Sequence, residues 1–346
     1  MSDTPSNATD WTTPAVEEVA PGVHRIPLPL PNDLLRAVNV YAIVDGNGLV
    51  LIDSGWSVPD SRARLDEALS SLDCSAADIH RFLITHVHRD HFTQAITVRR
   101  EFGTAVSLGV GERASLETLH DPDRGRLEPQ LDQLLRYGAA HLVDRVVASM
   151  AGHPPLDRSE WELPDDWLED DVVVATTDRR LHVVETPGHT RGHVVFHDAA
   201  GGLLFAGDHV LPTITPSIGF EPVLSPDPLG DFLGSLARVR EMSDARLLPA
   251  HGPVTASVHA RIDELVEHHG RRLDETEAAV VGGADTAFEV AGLLRWTRRD
   301  RHIDELDLFN QMLAVAETGA HLALLVAQQR IVRTLDEDVY RYYVGS

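Results

Sequence analysis

From Gly22 onward the chain alternates short apolar runs with turn residues, the signature of strands that are half or fully buried. VHRIPL from Val23 and VNVYAIV from Val38 are followed by Asp45-Gly46-Asn47-Gly48 and then LVLID, two β-prone runs around a turn that read as a hairpin. Asp60 to Leu72 places Leu65, Ala68, Leu69 and Leu72 on one helical face. The apolar run RFLIT then ends at His86. This strand, helix, strand order predicts a layered α/β domain. A second half repeats the style in VVVATTD, RLHVVETP, HVVFHD and LLFAGD.

Between the halves, residues 111–170 carry helical spacing in LEPQLDQLLRYG and AAHLVDRVVASMAG and end in the acidic segment ELPDDWLEDD. They read as a helical insertion, with Leu131, Leu134, Leu135, Tyr137, Val143 and Val146 offering an apolar roof. From Val258 the pattern changes to RIDELVEHHGRRLDETEAAV, TAFEVAGLLRW and DLFNQMLAVAETGAHLALLVAQQ, then two β-prone runs around an acidic turn. Three helices followed by a hairpin is the order of a winged-helix module. The expected organisation is a disordered leader over 1–15, a main domain over 16–255 and a winged-helix-like C-terminal domain over 256–346.

Composition narrows the chemistry. The 346 residues are 43% apolar and 24% charged, ordinary globular usage. All 30 basic residues are arginine, against 54 acids, for a net charge of −24. A chain without lysine has no P-loop lysine, Schiff-base lysine or kinase-type phosphate lysine. The negative charge argues against nucleic acid and anionic membranes as partners, and from residue 255 onward 10 arginines face 16 acids, a net of −6. A single cysteine, Cys74, permits no internal disulfide and reads as a small buried hydrophobe. The polar N-terminus and the absence of a long apolar run point to a cytoplasmic protein with no membrane contact.

Histidine carries the remaining signal, with 19 residues. His86, His88, Asp90 and His91 fall within six residues directly after the RFLIT run, where backbone turns converge side chains on one point. His189 stands in TPGHTRGH, Asp208 in FAGDH and His251 in LPAHGP, each just after an apolar run and beside Gly or Pro. Five histidines and two aspartates at strand ends make a nitrogen and oxygen donor set suited to zinc, iron or manganese.

These motifs resemble the metallo-β-lactamase superfamily. Its HxHxDH motif matches His86, His88, Asp90 and His91, and its later histidine, bridging aspartate and final histidine match His189, Asp208 and His251. The opening VNVYAIVDGNGLVLIDSG resembles the family's first hairpin, with its aspartate at Asp53. The resemblance spans about residues 20–255 and implies a four-layer αββα sandwich with two divalent metal ions, zinc first and iron or manganese as alternatives. It places His86, His88 and His189 on one metal, Asp90, His91 and His251 on the other, and Asp208 between them. One departure stands out: Phe92-Thr93-Gln94 follow the motif where the family commonly has a glycine pair.

Two cations about 3.5–4 Å apart lower the pKa of a shared water, so hydroxide is present at neutral pH and attacks a polarised carbonyl or phosphorus. Asp90 and Asp208 are the residues assigned to catalysis. Asp53 is expected to orient ligands, His209 to reach the substrate or a ligand, and Arg89 and Arg191 to meet an anionic substrate group. The pattern is most like the glyoxalase II-type thioesterases and relatives with an appended winged helix. The leading expectation is hydrolysis of a thioester or other activated ester of a small acyl substrate. Alternatives are phosphodiester hydrolysis, lactone hydrolysis, and a non-catalytic metal-binding assembly protein that dimerises through its C-terminal helices.

Overall fold

The computed structural model describes residues 10–31, 33–46, 48–121, 125, 127–151, 157–297 and 299–345. The expected leader's residues 1–9, Asn47 of the hairpin turn and residues 152–156 of the insertion lie outside them.

The first sheet runs in chain order: β1 (Glu17–Ala20), β2 (Val23–Pro29), β3 (Ala37–Asp45), β4 (Gly48–Ile52), β5 (Ile79–Ile84), β6 (Ala105–Gly109) and β7 (Asp166–Leu168). Its first four strands are antiparallel neighbours, and β4 to β7 are parallel. Parallel neighbours need crossovers. Here α1 (Pro59–Ser70) and α2 (Arg89–Phe102) supply two, and α3 (Arg113–His120), α4 (Glu128–Arg136) and α5 (Ala140–Met150) lie in the third. The second sheet comprises β8 (Val173–Ala175), β9 (Arg180–Glu185), β10 (Val194–Asp198), β11 (Leu203–Gly207) and β12 (Arg246–Pro249), lying in the order β12-β11-β10-β9-β8. The helix α6 (Pro228–Glu241) crosses from β11 to the parallel β12.

Period-2 alternation sends one set of side chains between the sheets and the other under the helices. Tyr41, Ile43, Val50, Ile52 and Leu83 of the first sheet meet Leu181, Val183, Phe196, Phe205 and Leu248 of the second in one inner core. Val38, Val40, Ala42, Leu51, Phe82 and Ile84 point the other way, with Leu65, Leu69, Phe92 and Ile96 of α1 and α2 in the same cluster. Burial on both faces explains the near-continuous apolar runs of these strands. The result is the expected four-layer αββα sandwich.

Four details differ from the sequence expectation. Asp166–Leu168, in the acidic end of the insertion, is an edge strand whose Trp167 pairs with Leu108. The faces of α4 and α5 are not an open roof: Leu134, Leu142 and Val146 are buried in the core that also holds the C-terminal helices. Cys74 is half-buried, at the edge of the α1 core. Residues 10–15 are tied down, since the Arg25 guanidinium donates to the Trp11 carbonyl and Arg36 pairs with Asp10.

The C-terminal part is α7 (Val258–Val281), α8 (Ala287–Leu293), α9 (Leu308–Ala327) and the hairpin β13 (Ile331–Asp336) and β14 (Val339–Val344). Its apolar residues belong to one cluster with Val184, Val195, Leu204 and Leu247 of the second sheet and with α4, α5 and α6. Tyr137 lies on Gly319 of α9, where an added Cβ would stand 2.3 Å from its ring. Leu322 of α9 is fully buried in this shared core. Leu322→Ala is expected to cost about 2–5 kcal/mol. In denaturant, far-UV and near-UV signals from the whole chain should shift together; a shift confined to the tail would contradict a common core.

Candidate metal centre

The site lies on one edge of the sandwich because the strands that precede it end there together. Asp53 follows β4, His86 follows β5, Asp208 follows β11 and His251 follows β12. Antiparallel pairing of β9 and β11 with β10 brings the end of β9 and the loop carrying His189 to the same edge. His88 caps α2, and Asp90 and His91 lie in its first turn. Phe92, Thr93 and Gln94, which stand where the family commonly has glycines, are buried and fasten this helix: Phe92 stacks on Trp161, and Gln94 donates to the Ser54 carbonyl.

The seven side chains form two groups able to hold a metal ion, His86, His88, His189 and Asp208 in one and Asp90, His91 and His251 in the other. In the first, His86 Nε2 and His189 Nε2 each lie 3.0 Å from His88 Nδ1, and Asp208 Oδ2 is 3.5 Å from His189 Nε2. In the second, His251 Nε2 is 3.4 Å from Asp90 Oδ2, and His91 Nε2 is 3.6 Å from it. Asp208 Oδ1 faces this second group, 3.4 Å from His251 Nε2 and 3.7 Å from His91 Nε2. One carboxylate thus turns an oxygen to each group. Buried polar atoms normally have partners, yet His91 Nε2, His251 Nε2 and Asp208 Oδ1 have no hydrogen bond and converge on one point. Lone pairs left this way fit a divalent cation.

The opposite ring nitrogens of His86, His91, His189 and His251 are engaged, which fixes the orientation of these four imidazoles. His86 Nδ1 contacts Thr85 Oγ1 at 3.0 Å, His189 Nδ1 the Ser217 carbonyl at 2.7 Å and His251 Nδ1 the Ala37 carbonyl at 2.8 Å. Asp53, in the left-handed region at φ 59°, accepts from the Thr85 backbone and hydroxyl through Oδ1 and meets His91 Nδ1 at 2.8 Å through Oδ2. The Asp208 amide donates to His193 Nε2 at 3.1 Å. Gly207 makes room for this contact, since a Cβ there would stand 2.7 Å from His193 Nε2 and from Thr85.

Electrostatics separates the two groups. Burial, then the neighbouring imidazoles, hold His86 well below its usual pKa and take His88 to about 3; burial also lowers His189. These rings are neutral, as ligands must be. Burial opposes charge on His91 and His251 as well, but the carboxylates around them prevail, raising His91 to about 10 and His251 above its usual value. Burial would likewise raise Asp90 and Asp208, and the facing imidazoles instead hold both below the usual carboxylate range. The carboxylates around His91 and His251 thus favour positive charge at this group, the charge that a dication would supply.

The weaker candidates take distinct places. The Arg89 guanidinium lies 4.2 Å over the Trp56 ring and 3.4 Å from Asp33. Arg191 is exposed beside His189. His209 is fully buried edge-on to Phe232, so its ring does not open to a substrate. Sequence reasoning missed His193 as the acceptor for Asp208, and missed Ser217 and Ala37, because a backbone carbonyl leaves no residue-type signal. It also missed two buried acids behind the site, Glu112 and Glu221, raised by desolvation to about 7 and about 8.

Comparison with known proteins agrees with this architecture. The sequence profile of the metallo-beta-lactamase superfamily matches residues 34–251. The chain is 27% identical over 319 residues to the probable metallo-hydrolase YqjP of Bacillus subtilis, covering 89% of this chain and 92% of that one. It is 28% identical to a metallo-beta-lactamase family protein of Thermus thermophilus, whose crystal structure superposes with a TM-score of 0.77 over 95% of this chain and 100% of the other. A beta-lactamase domain protein of Burkholderia ambifaria gives 0.76 at 25% identity, over 98% of each chain. With its sandwich, its edge-placed histidines and aspartates and the profile match over residues 34–251, this chain belongs to the metallo-beta-lactamase superfamily.

Proposed function

We propose that the protein is a dinuclear metal hydrolase, zinc being the first candidate ion, acting on a thioester or other activated ester. The observation that carries the hydrolase reading is the Asp208 carboxylate, one oxygen toward each donor group. Bound there, a pair of divalent ions would supply an activated water and polarise the substrate's carbonyl oxygen. Asp208 sets the spacing of the two groups. Asp90, engaged through Oδ2, keeps its second carboxylate oxygen to accept the proton of the attacking water. His91, held by Asp53, keeps its Nε2 turned inward.

The same charges support a thiol leaving group. Asp90 and Asp208 are held ionised, so they accept protons more readily than they donate them. A site of this kind favours a leaving group that departs without protonation, and a thiolate, whose conjugate acid has a pKa of about 8.5, meets that condition far better than an alkoxide. The Arg89 cation beside Trp56 is a contact for a negatively charged end of such a substrate. Phosphodiester hydrolysis gains no support from the tail, where Arg261, Arg271, Arg272, Arg330 and Arg341 are all paired with acids. Among the described residues no helix is long and apolar enough to cross a membrane.

Elemental analysis of protein purified without chelators is expected to give about two metal ions per chain, and a panel of thioesters, lactones, β-lactams and short RNAs should show turnover first on thioesters. Hydrolysis of acyl thioesters by metal-free protein would sink the mechanism. Asp208→Ala should abolish turnover and lower metal content at both groups, whereas His251→Ala should weaken one ion selectively. Because the surrounding carboxylates raise the proton affinity of His91 and His251 while burial lowers that of His86 and His88, protons compete with the metal at higher pH in the second group, and acidification should strip the Asp90 group first. Metal content followed against pH checks this; simultaneous loss of both ions would contradict it.

A further inference from the structure

The three histidines of the first group come from two loops on different sheets. His86 and His88 follow β5 of the first sheet, and His189 lies between β9 and β10 of the second. Their donor atoms lie 3.0 Å apart in pairs, so a small slide of one sheet on the other would separate them. Glu112, in the turn after β6, is fully buried and spans this gap. Its Oε1 accepts from the backbone N–H of Val87, between His86 and His88, at 3.4 Å, and from the hydroxyl of Thr190, next to His189.

The backbone around Glu112 is built for close approach. A Cβ on Gly192 would stand 2.0 Å from the Glu112 nitrogen, and one on Gly109 would stand 2.2 Å from the Gly192 carbonyl oxygen. On the other side of the same loop, the buried Glu221 accepts from the Arg191 N–H at 2.8 Å. Glu221 is four residues past Ser217, whose carbonyl orients His189. The His189 loop is therefore gripped between two buried acids. A carboxyl group with no solvent contact costs free energy to bury, and an apolar side chain would fill the space without that cost.

We infer that Glu112 is a positioning residue that locks the His86–His88 and His189 loops together and so sets the metal affinity of the first group, His86, His88, His189 and Asp208. The inference rests on reading that group as a metal site. Outer partners of metal ligands typically change affinity by about 10–100-fold when removed.

The test is zinc affinity by chelator competition, together with the visible spectrum of the cobalt-substituted protein, each site being assigned with His189→Ala and His251→Ala as references. Glu112→Ala should lower first-group affinity by about 10–100-fold and leave the second within about threefold, with the cobalt bands of the first group alone displaced. Glu112→Gln keeps an acceptor oxygen for Val87 and Thr190 and should restore both. Thr190→Val should reproduce the selective loss, and adding it to Glu112→Ala should cost little more. If Glu112→Ala does not fold, the Thr190→Val result decides. Equal loss at both groups, no loss in either variant, or Glu112→Gln as damaging as Glu112→Ala would overturn the inference. If the parent protein bound two ions normally in those cases, the metal-site reading would stand; a parent protein that bound none would overturn both.

Discussion

The Asp208 carboxylate is the constraint around which the rest of the site is organised. A single side chain reaches both donor groups only if the ends of β5, β9, β11 and β12 arrive at one edge within a few ångströms. That demands two sheets held in fixed alignment, which the inner core of Tyr41, Phe196, Phe205 and Leu248 provides. It also demands that the backbone at 207–208 approach β5 closely. Gly207 meets this requirement, and His193 holds the Asp208 amide from below.

Charge and burial act together here. Five histidines and two aspartates packed at low exposure would be costly if each had to be solvated separately. The protein divides the cost unequally: desolvation favours the neutral form of the first group's histidines, while in the second the carboxylates favour positive charge on His91 and His251. The opposite nitrogens of His91, His86, His189 and His251 are held by oxygens of Asp53, Thr85, Ser217 and Ala37. Rotation that would aim a lone pair elsewhere means breaking a buried hydrogen bond, so the site is organised before any ion arrives.

The C-terminal helices belong to this organisation through packing. The segment that carries Ser217 reaches Gly219, whose carbonyl accepts from Gln133 of α4 and whose Cα lies against Ala316 and Ala320 of α9. Ile218 is buried in the core shared with both helices. The hydrogen bond that orients His189 therefore depends on α4 and on α9, the latter more than a hundred residues beyond His189 in sequence. Their order, three helices and a hairpin, suggests an appendage; their shared core with the second sheet makes them a wall of the same body.

Periodicity alone was enough for a layered α/β domain, since strands covered on both faces must be apolar along their length, as β3, β4 and β11 are; the four-layer sandwich was implied only by the resemblance that the ligand motifs carry. The ligand positions were equally legible, because metal binding restricts residue type and each ligand follows an apolar run at a strand end. The short edge strand at Asp166–Leu168 was not, as three residues are too few to show a period. Nor could sequence reveal that the apolar faces of α4 and α5 turn into the core, for amphipathic spacing marks a buried face without naming what buries it. Tertiary structure alone decided which atoms meet: Asp53 with His91, His193 with the Asp208 amide, Glu112 with two ligand loops. Residue type states what chemistry a position can offer, whereas pairing across two sheets depends on distances that only the packed fold defines.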